Sequence, residues 1–437
     1  MLRILAMTQL AWMHMKKIKT FFKSLGPGVV TGAADDDPSG IATYSQTGAQ
    51  FGYGQLWTAI FMLPLQTAIQ EACARIGAVT GKGIAGVIKE HYSSKILYIA
   101  VMLVVIANTL NIGADIGAMA AATRLIIPVN FPILTLLFTA TMLILEIFVS
   151  YRAYAKFLKW LCLSLIAYPL TLFMIQAPWL TILKATFIPH IEFNYNFLFI
   201  ITAVLGTTIS PYLFFWQASQ VVEEQRDKDL ISVTGKPNIN AAFIWHLRLD
   251  NFIGMFFSEA AAWSIIVVTA TVLHANGITD IKTSADAAKA LEPFVHGMPH
   301  AGYLAKVIFA IGIVGLGFLA VPVLAGSSAY ALSETLEWKS GLNLHLRRAH
   351  GFYGIITIST LIGLIINFIG IDPIKALIYC AVINGVVAVP LIFIIGLIAS
   401  NEKIMGEYKS KKLSKIFVGI TFLGMLAAAI GMFYTLF

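Results

Sequence analysis

Charge is what this chain has least of. Asp, Glu, Lys and Arg make up 12% of its 437 residues, where a soluble domain carries about 25%. Cysteine is scarce as well. Cys73, Cys162 and Cys380 all fall inside apolar runs and read as small hydrophobes, so neither a disulfide framework nor a zinc site is expected. The histidines lie mostly between those runs, without metal-ligand spacing. A Walker loop, a nucleotide-binding motif and a catalytic triad are all missing, which excludes ATP-driven transport and soluble catalysis as expectations. No inserted soluble domain is visible. The longest polar stretches, about 223–247 and 274–303, are mixed in charge and too short to bury a core. The first 20 residues are basic, contain no clear cleavable signal, and read as a mobile or interfacial tail.

What the chain has is apolar sequence. It is 58% hydrophobic, and eleven runs reach the roughly 20 residues that a bilayer core demands. They lie near 25–51, 55–79, 96–123, 131–149, 157–177, 196–222, 249–273, 304–332, 351–371, 374–399 and 415–436. Runs of this length are helices, because strands of a membrane barrel would be shorter and would alternate. The chain is therefore an all-α polytopic membrane protein. Its net charge of +8 belongs to topology rather than to nucleic acid. With the N-terminus cytoplasmic, 24 of the Lys and Arg residues fall on the inner side and 6 on the outer, as the positive-inside rule requires. An odd number of spans then leaves the C-terminus outside. The expected setting is the plasma (inner) membrane.

Two spans are broken at their centres by a polar residue followed by proline, Asp37-Pro38 in span 1 and Ser210-Pro211 in span 6. Proline removes a backbone donor and clashes with the preceding turn, so the helix opens there. Each break opens a unit of five spans, and units with an odd count run in opposite senses across the membrane. That is the pattern of an inverted-repeat transporter, whose paired breaks mark the binding site. The expected divisions are a basic cytoplasmic tail over 1–24, a first repeat over 25–177, a second over 178–400, and a linker with an additional span 11 over 401–437.

Carboxylates inside spans usually face a partner, a cavity or a pathway. Asp37 at the first break suits a cation as a hard oxygen donor, and it equally suits the cap of the half-helix that follows. Asp35 and Asp36 cannot both face the same point as Asp37 while the helix holds, since successive residues turn by about 100°. Asp36 is a candidate ligand and Asp35 a pathway candidate. Ser210 and the backbone of Thr207 offer matching neutral oxygen in span 6. Asn108, Asn111 and Asp115 form a polar stripe on span 3, read either as a conduction path or as interhelical glue. Glu71 and Arg75 are spaced for a structural ion pair. Glu259 in span 7 is a pathway candidate without an obvious partner, and Asn384 in span 10 is a candidate neutral ligand.

The first span, Gly26-Pro27-Gly28 through Asp37-Pro38-Ser39-Gly40 to Gly48-Ala49-Gln50-Phe51-Gly52-Tyr53, resembles the opening motifs of the Nramp family of divalent-metal transporters. Gln70, Arg75-Ile76-Gly77-Ala78-Val79-Thr80-Gly81-Lys82, the segment around Pro211, and Ile404-Met405-Gly406 are similar to further family motifs. The resemblance implies a LeuT-type 5+5 inverted repeat with a metal site at mid-membrane. It also carries departures. Asp37 matches the family's Asp, but Gly40 stands at its Asn, Ser210 at its Met and Thr207 at its Ala. Tyr212 stands at the His associated with proton movement. The family's acidic positions in span 3 map nearest Asn111 and Ala114, with Asp115 one residue out of frame.

Loss of the thioether removes the ligand that favours softer metals, and Gly and Ser widen the expected cavity. A hydrated ion such as Mg2+ suits such a site. The likeness is then to the Nramp-related magnesium transporters, with Mg2+ and also Mn2+ as cargo, no resident cofactor, no obligatory proton coupling, and a monomer in the lipid bilayer. The alternatives are a proton-coupled Mn2+/Fe2+ symporter, a LeuT-type amino-acid permease, and a receptor that kept the fold. The charge on Asp37 opposes a permease, because it would repel a substrate carboxylate.

Overall fold

The computed structural model describes residues 27–149, 166–232 and 237–436. Among them every element is helical and no strand forms. Span 1 consists of half-helices 1a (Pro27–Asp35) and 1b (Pro38–Phe51), and span 6 of 6a (Tyr195–Thr208) and 6b (Pro211–Asp227). Spans 2, 3 and 4 are Trp57–Thr80, Ser94–Thr123 and Phe131–Phe148. Spans 7 to 11 are Ala241–Val272, Ala301–Leu336, His350–Ile366, Pro373–Ser400 and Lys412–Tyr434. Of the fifth expected span, 157–165 lie outside the described residues, and 166–177 hold only a short helix, Ala167–Thr171, followed by a turn. The basic tail, Cys162 and the cations Arg152, Lys156 and Lys159 also lie outside them.

Seven stretches among the described residues are long and apolar enough to cross a bilayer, with the two halves of span 6 taken as one. Span 9 is a shorter apolar helix of 17 residues. Span 2 has the length, at 24 residues, but carries Gln66, Gln70, Glu71 and Arg75. These four are buried, which is how a bilayer helix tolerates them.

The two breaks are closed by opposite chemistry. Pro38 sits at the first position of 1b, and Asp37 caps it by accepting from Gly40 N at 2.7 Å. Pro211 likewise opens 6b, but Ser210 makes no forward cap. Its hydroxyl instead donates backwards, to the carbonyls of Gly206 at 3.0 Å and Thr207 at 2.6 Å. The first break thus satisfies donors of the half-helix that follows, and the second satisfies acceptors of the half-helix that precedes. The two breaks meet. Ser39 Oγ lies 3.4 Å from Thr207 Oγ1, Tyr44 OH of 1b lies 2.9 Å from Thr208 Oγ1 of 6a, and Tyr212 OH of 6b donates to Ala34 O of 1a at 3.0 Å.

Span 7 lies along both halves of span 1, and Asp250 Oδ2 accepts from Gly28 N in the first turn of 1a at 2.7 Å. Spans 2 and 7 are joined at one end by charge. Arg75 Nε and Arg248 Nε reach the same Glu71 oxygen at 2.9 and 2.8 Å, so the expected i, i+4 pair is part of a larger network. Arg75 also donates to Tyr408 O and Ser410 Oγ, which fastens the segment after span 10 to span 2.

Glycine sets how closely the helices cross. A Cβ on Gly206 of 6a would stand 2.0 Å from Ala381 O and 2.3 Å from Gly385 N of span 10. Filling that crossing overpacks it, so Gly206→Ala should destabilise the protein by about 1–3 kcal/mol. Gly419 on span 11 has nothing within 4 Å of its Cβ position. Gly419→Ala should therefore be neutral or slightly stabilising, because Ala has the higher helix propensity. Thermal unfolding of both variants in detergent checks the contrast. Equal midpoints would show that the crossing does not set the packing.

Candidate metal centre

Asp37 is 1% exposed and its carboxylate is held from two sides. Oδ1 accepts from Ser39 Oγ at 2.6 Å and from Gly40 N at 2.7 Å, and Oδ2 accepts from Asn111 Nδ2 of span 3 at 2.8 Å. The residue is therefore a helix cap and an anchor to span 3 at once. Every donor is neutral, so the carboxylate is oriented without being neutralised. Charge-assisted bonds of this kind fix a carboxylate's direction firmly.

The span 6 side is neutral oxygen. The hydroxyl of Ser210 and the carbonyl of Thr207 lie against each other, since one donates to the other. Gly40 requires a correction. The expectation was that its missing side chain widens a cavity. Instead, a Cβ there would meet Thr207 Oγ1 at 3.3 Å and the Tyr44 ring at 3.4 Å. The Thr207 hydroxyl of 6a, the Tyr44 ring of 1b and the Asp35 carbonyl of 1a stand around that position, so both spans fill part of the space.

Asp115 and Asn384 add polar atoms with no protein partner. Both carboxylate oxygens of Asp115, both amide atoms of Asn384 and Oδ1 of Asn111 are buried and unpaired within the protein. Unpaired buried polar atoms are few in native proteins and each requires an explanation. Asp115 lies within electrostatic reach of Asp37, and Cys380, one turn before Asn384, within reach of both. The stripe on span 3 has divided roles. Asn111 holds Asp37, whereas Asn108 donates to Leu324 O and Ser328 Oγ of span 8 and so joins two helices. Tyr212 is fully buried, and its hydroxyl is committed to the carbonyl of Ala34 at the end of 1a.

Asp35 and Asp36 do not join this group. Asp35 Oδ2 accepts from Gln66 Nε2 of span 2 and Ser258 Oγ of span 7, both at 2.5 Å, and Asp36 Oδ1 lies 3.3 Å from the same hydroxyl. Glu259 is 5% exposed and within electrostatic reach of Asp35 and Asp36, so its company is acidic. The helical turn explains the separation, since it directs consecutive side chains to different walls. Sequence reasoning missed Ser39 as a partner of Asp37 and Ser258 as a partner of Asp35. The first was legible in the capping pattern Asp-Pro-Ser. The second had only the polar pair Ser258-Glu259 in an apolar span as its signal.

The donor set around the breaks is oxygen, apart from the Cys380 thiol on span 10. Oxygen donors with one or two carboxylates suit hard cations.

Comparison with known proteins gives a consistent assignment. The Nramp family model, described as natural resistance-associated macrophage protein-like, matches residues 28–435. A protein of Caldanaerobacter subterraneus subsp. tengcongensis named divalent metal cation transporter MntH is 27% identical over 410 residues, covering 92% of this chain and 90% of that one. The manganese transporter of Eremococcus coleocola superposes with a TM-score of 0.74 at 15% identity, over 95% of this chain and 86% of that one. MhsT, in complex with L-phenylalanine, superposes with a TM-score of 0.58 at 13% identity, over 94% of this chain and 98% of that one. The fold is the LeuT-type 5+5 inverted repeat with broken spans 1 and 6 and an additional span 11, and the chain belongs to the Nramp family.

Proposed function

We propose that this protein carries divalent metal cations across the membrane by alternating access, with hydrated Mg2+ and also Mn2+ as cargo and without obligatory proton coupling. The observation that carries the reading is the meeting of two broken spans at an oriented, un-neutralised Asp37, with neutral oxygen opposite and no thioether at Ser210. The relatives named as divalent cation and manganese transporters support the charge class of the cargo. Asp37 supplies charge. Ser210, the carbonyl of Thr207 and Asn384 supply neutral oxygen, directly or through retained water. Mg2+ sheds water reluctantly and keeps several waters when bound, which fits a site with few direct ligands. The contact between Ser39 and Thr207 must part to admit such an ion, so loading separates the two breaks. The proposed orientation has the N-terminus in the cytoplasm and the C-terminus outside, in the plasma (inner) membrane.

The case against proton coupling rests on Tyr212. A phenol has a reference pKa near 10, far from the near-neutral value of the His that the family carries there. Its hydroxyl is also occupied in holding the end of 1a. The second reading, a proton-coupled Mn2+/Fe2+ symporter, draws on Asp115, which is buried without a protein partner beside Asp37.

Uptake into proteoliposomes tests both, with Mg2+, Mn2+ and Ca2+ compared and internal pH recorded. Asp37→Ala should reduce uptake of every divalent ion to background. Ser210→Ala should cost about 0.5–1.5 kcal/mol of binding, since water replaces a neutral oxygen. Wild-type uptake in Asp37→Ala would move the site elsewhere.

Ser210→Met combined with Gly40→Asn should shift preference toward Mn2+ or Cd2+ and weaken Mg2+, because sulfur favours softer ions. Unchanged selectivity in that double variant would sink the account in which the missing thioether at Ser210 sets the preference. Metal-dependent acidification of vesicles at a fixed ion-to-proton ratio would establish the symporter instead.

A further inference from the structure

We infer that half-helix 1a and spans 2 and 7 enclose a second cation site, separate from the one at Asp37. Asp35 ends 1a and is fully buried, Asp36 is 3% exposed, and the two carboxylates share the Ser258 hydroxyl. Glu259 follows Ser258 on span 7 and brings a third buried acid within electrostatic reach of both. Among the described residues none of these three carboxylates is in an ion pair with a basic side chain. The nearest cations on spans 2 and 7, Arg75 and Arg248, are committed to Glu71. The C-terminal end of 1a adds its own partial negative charge at the same point.

A second observation comes from an uncharged residue. Gln66 is fully buried on span 2. Its amide nitrogen is on Asp35, and the oxygen at the other end of that amide has no protein partner. Asp35 Oδ1 and Glu259 Oε1 are also unpaired within the protein. Oxygen atoms of carboxylate, hydroxyl and amide make a hard donor set.

Among the described residues no three His, Cys, Asp or Glu side chains converge at metal-ligand spacing. The site is therefore one of mixed donors, with Asp35 and Asp36 supplying charge and Ser258 and Gln66 supplying neutral oxygen. Two carboxylates without a basic partner call for a divalent ion, which neutralises them where a monovalent ion would not. The side chains face spans 2 and 7, whereas Asp37 faces span 3. An ion here does not compete for the ligands of the cargo site. It stands beside the break, on a different wall, as a staging position for the same class of ion.

The identity of the ion rests on the proposed cargo, but the existence of the site does not. Equilibrium binding of Mn2+ to the purified full-length protein in detergent, counted by electron paramagnetic resonance of the free ion, tests it. Two bound Mn2+ per wild-type chain are expected. Asp37→Ala should keep one, and Asp35→Asn should keep one. Ser258→Ala, the milder change, should weaken one class of site about tenfold and leave the other unaltered. One Mn2+ per wild-type chain would overturn the inference, whatever the variants do. So would two sites of unaltered affinity in both Asp35→Asn and Ser258→Ala. Two ions in Asp37→Ala, with one lost in Asp35→Asn, would displace the proposed cargo site while supporting this one.

Discussion

Unwound backbone in an apolar surround must find every hydrogen bond inside the protein, and the organisation of this transporter follows from that constraint. Each break frees carbonyls on one side and amides on the other. The molecule answers with Asp37 on amides, Ser210 on carbonyls, and a tyrosine bond across each pair of half-helix ends. Tyr212 of 6b closes the end of 1a, and Tyr44 of 1b meets a hydroxyl at the end of 6a. The two spans therefore complete one another. A change at either break is felt at both, which is what a site built from two half-helix pairs needs if its opening is to be concerted.

Close approach of the helices makes this possible. Gly206 lets 6a lie against span 10, and Gly32 lets 1a lie against span 7, where a Cβ would stand 2.3 Å from the backbone of Gly254. Small residues let helix backbones meet in a membrane, where lipid gives little hydrophobic drive for association. The breaks are thereby held between spans 3, 7 and 10, and the polar side chains on those spans become walls of the site. Burial of Asp37, Asp115 and Asn384 is a consequence of this packing.

Charge is distributed unevenly around the breaks. Arg75 and Arg248 are both committed to Glu71 at the far end of spans 2 and 7. Asp35 and Asp37 have only neutral donors, and Asp115 has no protein partner. Buried acids without basic partners are costly in a membrane and usually face a partner, a cavity or a pathway. The divided geometry, Asp37 toward span 3 and Asp35 with Asp36 toward spans 2 and 7, turns a run of three adjacent carboxylates into two separately walled groups.

The membrane class, the two breaks and the position of Asp37 at the first of them are legible in the chain, because they rest on local rules. Apolar length, proline chemistry and the rarity of acids inside spans need no neighbours to be read. The partners of each acid are not legible. Asn111 lies 74 residues from Asp37 and Ser258 lies 223 from Asp35, and a single sequence carries no signal for such pairings. The same holds for Gly40. Its absent side chain suggested a widened cavity, and side chains of 1b and 6a with the carbonyl of Asp35 stand around the position instead. Spacing along a helix fixes direction within that helix, but which wall lies in that direction depends on how all the helices pack together.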